Sequence, residues 1–157
     1  MNILFICTHN RCRSILSEAI CRQLAGDKIQ AWSAGSQPVG QVHPLSLKYL
    51  EAKAYNTEGL SSQSWNDFEQ VKPEIVVTVC DSAANESCPV WFAEGIKVHW
   101  GLEDPSKLEG SEEEIAEAFF KVIALIEKRV QALLALDLNN RDKKQLEAEL
   151  QAIGELK

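Results

Sequence analysis

The segment Ile3-Leu-Phe-Ile-Cys7-Thr-His-Asn-Arg-Cys-Arg13-Ser14 decides the fold. Its first five residues are a short continuous apolar run, which suits a strand buried on both faces of a parallel sheet. A polar turn follows. Ser14 is then expected to cap a helix in which Ile15, Ala19, Ile20 and Leu24 recur at helical spacing, until Gly26 ends the run. In a strand–loop–helix of this kind, successive loop N–H groups curl into an anion cradle and the helix adds the positive end of its dipole. Arg13 suits the same task, because its guanidinium grips a tetrahedral oxyanion through two parallel hydrogen bonds and a lysine cannot. Cys7, at the strand end beside this cradle, is expected to have a depressed pKa. A free thiol titrates near ~8.5, and helix-end and arginine environments bring it to roughly 4–7.

Outward from that segment, strands and helices alternate. Residues 29–34 read as a second strand stopped by Gly35, and His43 to Ala54 as a helix. Val76-Val-Thr-Val-Cys80 is a third strand followed by a loop, Asp81 to Pro89, and Ile96-Lys-Val-His-Trp100 is a fourth, ending at Gly101. Ser111 with Glu114 forms a capping box opening a long helix, on which Ile115, Phe119, Val122, Ile126, Val130 and Leu133 share one face. An amphipathic helix from about Arg141 to Ile153 closes the chain. The expected fold is therefore a single doubly wound α/β domain over residues 1–157. It has a parallel sheet of about four strands with helices on both faces, a core over about 1–135 and a C-terminal helical extension over about 138–157. In such sheets the ligand sits outside the carboxyl ends of the strands. Cys7, Cys80 and the Gly101–Asp104 turn all fall there.

Composition sets limits on function. The chain has 157 residues, with 16 Lys+Arg against 23 Asp+Glu and a formal charge of −7. That acidity argues against a general partner role with nucleic acid or an anionic membrane. No window approaches the roughly 18 consecutive apolar residues of a membrane helix. The first residues carry no basic stretch or cleavage site of a secretory signal, so a cytoplasmic location is expected. The acidity is uneven: Glu103 to Glu117 is strongly acidic, whereas residues 1–30 carry Arg11, Arg13, Arg22 and Lys28 against Glu18 and Asp27. An anion is welcome at that end.

The five cysteines, 7, 12, 21, 80 and 88, are too few and too odd in number for a disulfide scaffold. Cys80 and Cys88 flank a small, polar segment, which fits either thiol–disulfide exchange or a pair of inert thiols. A zinc site wants four ligands and a tighter spacing, and His99 is the only nearby addition, so no metal is expected. Asp104, fixed by Pro105, is a candidate general acid for protonating a leaving oxygen, although Asp-Pro is also ordinary turn chemistry. Cys12 is either a packing residue or an oxidation partner of Cys7, and Cys21 belongs to the core. His9 and Arg11 are read as rim residues lending positive charge.

Together, Cys7-x5-Arg13-Ser14 between strand and helix and the late Asp104-Pro105 resemble the low-molecular-weight tyrosine phosphatase fold. Thr78-Val-Cys80-Asp81, Cys88 and His99-Trp-Gly-Leu-Glu-Asp-Pro105 resemble the arsenate reductases built on that fold, which are usually coupled to thioredoxin. The resemblance spans residues 1 to about 135. It implies that Cys7 attacks arsenate, that Thr8, His9, Asn10, Arg11, Cys12, Arg13 and Ser14 form the oxyanion-binding loop, and that Asp104 protonates the departing hydroxide. It further implies that Cys80 attacks the Cys7–arsenic adduct to release arsenite, and that Cys88 then takes over the disulfide. No bound cofactor is implied. The reductant is an external thiol, thioredoxin or glutathione with glutaredoxin. Asn10, Glu18 and Ser33 match positions that order the loop in some members, in certain cases around potassium, although no fourth partner is evident here.

Two departures from the pattern are His9 and Arg11 in the loop, where small residues are common, and a Cys80–Cys88 spacing one residue longer than expected. The other readings are a low-molecular-weight phosphatase and a non-catalytic oxyanion-binding redox sensor. Ser106, where such phosphatases usually carry an aromatic residue, and the cysteine pair favour the reductase.

Overall fold

The computed structural model describes residues 1–84, 95–138, 140 and 142–156. Cys88 lies outside them, as does most of the expected 81–89 loop.

Four strands form one sheet in the order β2-β1-β3-β4. They are β1 (Asn2–Ile6), β2 (Gln30–Ala34), β3 (Ile75–Thr78) and β4 (Ile96–His99), and every pairing is parallel. The central strands β1 and β3 are buried at nearly every position. That is what a parallel sheet covered on both faces requires, and it is why Ile3–Ile6 and Ile75–Val77 are uniformly apolar.

The connections are helical. α1 (Arg13–Ala25) packs on β1 and β2 and against α4 (Glu112–Leu134), and α2 (Pro44–Ala52) leans on both helices. α3 (Asp81–Ala84) is a single turn directly after Cys80, where the sequence suggested the start of a loop. α5 (Lys143–Ile153) packs against β4 and α4, burying Leu146, Leu150 and Ile153 in the common core. The terminal helix thus docks on its own chain.

Helix ends follow local chemistry with one exception. Ser111 accepts from the Glu114 N–H at 3.2 Å, and Asp142 accepts from the Gln145 N–H at 2.8 Å, capping α4 and α5. Gly26 ends α1 at φ +57°, a backbone region that favours glycine. Ser14, however, does not cap α1. The N-cap is Cys12, whose side chain makes no capping bond, and Ser14 is fully buried one turn inside the cradle. Leu24 also departs from expectation: it is exposed, and Leu16 takes the buried position on α1.

Candidate active site

The site is built on the carboxyl ends of β1 and β3. Cys7 follows β1 and is 6% exposed, and residues 8–12 turn back into α1. The turn is tight enough to need Asn10 at φ +48°, a left-handed conformation that asparagine tolerates better than most residues. Asn10 is fully buried and locks the turn with its side chain: Nδ2 donates to Ser14 Oγ at 2.8 Å and Oδ1 accepts from the Gln63 N–H at 2.7 Å. The outer edge is tied to a strap over residues 36–43. The N–H groups of Gln37, Val39 and His43 donate to the carbonyls of Thr8, His9 and Arg11. With those carbonyls engaged outward, the peptide dipoles of the loop align as an anion cradle needs. His9 and Arg11 are exposed on the rim, as expected.

Neither the strap nor Gln63 was legible in the sequence. Gly35 reads in the sequence only as a strand stop, yet an added Cβ there would lie 2.6 Å from the Cys7 carbonyl oxygen and closer still to that of Thr8. The backbone after β2 passes directly under the cradle, and only glycine permits it.

Arg13, in the first turn of α1, faces the 101–104 loop. Its Nη1 donates to Leu102 O at 3.2 Å and its Nη2 lies 3.7 Å from Asp104 Oδ2. Its Nε–H is buried and has no hydrogen-bond partner among the described residues. Asp104 is held from the other side by Ser106, which donates from its N–H at 3.0 Å and from Oγ at 2.6 Å to Oδ1. The Asp-Pro segment does make a turn, a short 3-10 helix at Pro105–Lys107, but the turn aims the carboxylate at Arg13.

Cys80 enters this centre from β3. It is 3% exposed, its Sγ accepts from the Ala83 N–H at 3.4 Å, and the Thr8 hydroxyl lies 3.9 Å away. Cys80 is close enough to Cys7 for each thiol to influence the ionisation of the other. This proximity corrects the expectation for Cys7. The interaction with Cys80, and burial, hold the Cys7 thiol far above the ordinary range despite Arg13. Cys80 is drawn down to about 5 by the same interaction, against the opposing effect of burial, with help from Thr8, Ala83 and Arg13. The interaction therefore favours the thiolate on Cys80 over that on Cys7.

Around the pair, Thr78 Oγ1 and His99 Nδ1 lie 2.8 Å apart, and His99 Nε2 is 3.1 Å from Asp81 Oδ1, tying β4 to the start of α3. Glu18 and Ser33 are bonded to each other at 2.5 Å, and burial raises the Glu18 carboxyl above its usual range. Cys12 and Cys21 are buried, and burial pushes their thiols up to about 11 and about 12. Cys21 is a core residue, as expected. Among the described residues no group of three His, Cys, Asp or Glu is placed to hold a metal ion, and no helix is long and apolar enough to cross a membrane.

A parallel sheet presenting a buried cysteine to an arginine-backed anion loop defines a phosphatase-like α/β protein. The chain belongs to the low molecular weight phosphotyrosine protein phosphatase family, whose model matches residues 2–152. Within that family it is similar to proteins named arsenate reductase. It is 34% identical to the arsenate reductase of Halalkalibacterium halodurans over 128 residues, covering 82% of this chain and 91% of that one. A solved structure described as an arsenate reductase in the intermediate state superposes with a TM-score of 0.69 at 28% identity, over 85% of this chain and 96% of that one. The thioredoxin-dependent arsenate reductase of Corynebacterium glutamicum superposes with a TM-score of 0.60 at 28% identity, over 83% of this chain and 61% of that one.

Proposed function

We propose that this protein reduces arsenate to arsenite through a thiol cascade that begins with Cys7 and Cys80. The observation that carries the proposal is a second buried thiol at the oxyanion cradle, Cys80, whose Sγ lies 3.9 Å from the Thr8 hydroxyl directly after Cys7. A phosphatase needs one thiol there. A reductase needs a second thiol close enough to take over the first.

The loop of Thr8, His9, Asn10, Arg11 and Cys12, with Arg13 and Ser14, receives the arsenate, and the partnerless Arg13 Nε–H supplies a donor for one of its oxygens. The Cys7 proton passes to the Cys80 thiolate, and the Cys7 thiolate forms a bond to arsenic. A hydroxide leaves, protonated by Asp104 to water. Cys80 Sγ, returned to the thiolate by loss of its proton to solvent, then attacks Cys7 Sγ. The sulfur–arsenic bond breaks with its electron pair going to arsenic, which falls from As(V) to As(III) and departs as arsenite. The Cys7–Cys80 disulfide passes to Cys88, which attacks Cys80 and frees Cys7 as the thiolate. An external thiol reductant, thioredoxin or two glutathiones with glutaredoxin, supplies the two electrons that reduce the Cys80–Cys88 disulfide. Potassium has no assigned step: the Asn10, Glu18 and Ser33 side chains already hydrogen-bond to protein groups.

The experiment is arsenate-dependent NADPH consumption with two reductant systems in parallel, one thioredoxin with its reductase, the other glutathione, glutaredoxin and glutathione reductase. Turnover in either supports the reductase and names its partner. Silence in both, with hydrolysis of an aryl phosphate, replaces the reading with a phosphatase built on Cys7, Arg13 and Asp104.

A further inference from the structure

Arg129 is a cation that the proposed chemistry does not use. It lies on α4, is 4% exposed, and forms no ion pair among the described residues. A buried guanidinium needs its N–H groups satisfied, and Arg129 spends its two terminal nitrogens on three backbone carbonyls, while its Nε–H is buried with no hydrogen-bond partner among the described residues. Nη1 donates to Gly101 O at 3.1 Å, and Nη2 donates to Gly154 O and Leu156 O, both at 3.0 Å.

These carbonyls belong to two segments far apart in sequence. Gly154 and Leu156 follow α5 at the end of the chain. Gly101 opens the loop that carries Asp104. The next carbonyl along that loop, Leu102 O, is the one that anchors Arg13. The Leu102 N–H in turn donates to Val79 O at 3.0 Å, beside Cys80. One guanidinium therefore fixes the peptide from which both the Arg13 anchor and Asp104 are hung.

The C-terminal segment has little freedom to move off this arrangement. A Cβ at Gly154 would lie 2.5 Å from His99 O and 2.7 Å from the Trp100 ring, and Trp100 Nε1 donates to Leu150 O at 2.8 Å. The tail is seated against the end of β4, with Arg129 stitched between it and the loop.

We propose that Arg129 is a positioning residue for the active site, holding the Gly101–Asp104 loop so that Asp104 and the Arg13 anchor face Cys7, with the C-terminal segment as the other end of the brace. The part of this that concerns Asp104 as an acid rests on the proposed arsenate reduction. The part that concerns Arg13 does not.

The test is a double-mutant cycle between Arg129→Met and Asp104→Asn, read on kcat for arsenate in the NADPH-coupled assay. A positioning role predicts that Arg129→Met lowers kcat about 10- to 100-fold, the cost of misplacing a catalytic group by about an ångström. In the Asp104→Asn background the same substitution should cost clearly less, leaving only the share that acts through the Arg13 anchor, because one of the two groups it positions is already gone. Arg129→Lys, which keeps the charge but loses the fork, should fall between Arg129→Met and wild type, and it carries the cycle if Arg129→Met does not fold. Losses that multiply, or an unchanged kcat, overturn the inference.

If wild type proves inert toward arsenate, the proposed function fails and a second readout decides the inference alone. Sulfate protection of Cys7 against iodoacetamide, read in the Cys80→Ser background where Cys7 labels readily, needs no turnover. Loosening the Leu102 anchor of Arg13 should raise the protecting sulfate concentration several-fold in Arg129→Met, and unchanged protection overturns the brace.

Discussion

At the scale of single residues, the chemistry of the cradle turns on where the negative charge rests. Cys7-x5-Arg13 argues for a thiolate on Cys7, since helix end and arginine both favour it. The sequence carries no sign that Cys80, seventy-three positions later, comes close enough to Cys7 to influence its ionisation, or that Thr8 and Ala83 contact its sulfur. Donors around a sulfur decide which of two neighbouring thiols ionises, and only the fold assembles them. Cys80, drawn down to about 5, should therefore be carboxamidomethylated at pH 6.5 well ahead of Cys12 and Cys21, which burial pushes up to about 11 and about 12. In Cys80→Ser the Cys7 sulfur loses the neighbouring thiolate while Arg13 remains. Cys7 labelling at that pH should then accelerate by an order of magnitude or more. Peptide mapping after timed quenching reads both rates. Cys80 labelling no faster than Cys21, or a Cys7 rate indifferent to Cys80→Ser, would contradict the thiolate on Cys80.

At the scale of elements, what local chemistry dictates was readable, and what long-range contact dictates was not. Ser111 and the apolar stripe from Ile115 to Leu133 describe α4 as it stands, because a cap and a 3.6-residue period are properties of the segment itself. Ser14 has the right residue type for a cap but is drawn inside by Asn10, whose own geometry depends on Gln63. Leu24 fits the helical period and still faces solvent, because the buried face of α1 is set by β1, β2 and α4 and not by the period alone. Gly35 is the sharpest case, a strand terminator by sequence and a close backbone crossing in the structure. Gly35→Ala puts a methyl against two carbonyl oxygens that belong to the cradle itself, and backbone cannot swing away as a side chain does. The expected result is a loss of about 1–3 kcal/mol of stability, in line with overpacking elsewhere. Weaker sulfate protection of Cys7 should accompany it, because the displaced atoms line the anion loop. Urea denaturation and the alkylation assay check the two together. Wild-type stability in Gly35→Ala would mean that the crossing is looser than described.

At the scale of the whole molecule, the parallel α/β architecture follows from alternating strand and helix signals, and the placement of Cys7, Cys80 and Asp104 at one end follows from the architecture. The strap over 36–43 and the Arg129 brace do not, since both are held by backbone carbonyls that any residue supplies. Burial of the thiols also gives the whole protein a pH dependence. Unfolded cysteines titrate near ~8.5. Between about pH 5 and that value the unfolded chain keeps every thiol protonated, while the folded chain has already released the proton of Cys80. The unfolded state then binds more protons, so this group contributes stability that grows as pH rises and is lost as pH falls back through about 5. Above ~8.5 the sign reverses. The unfolded thiols ionise, while Cys7, Cys12 and Cys21 stay protonated in the fold, and stability declines. The reduced protein should accordingly show a Tm that climbs from pH 5.5 to about 8 and falls by pH 10. Other groups titrate over the same span, so the decisive comparison is with Cys80→Ser under the same reductant. That variant should lose most of the climb and keep the alkaline fall. A Cys80→Ser curve parallel to wild type across the acid limb would mean that the charge on Cys80 contributes nothing to the folded state.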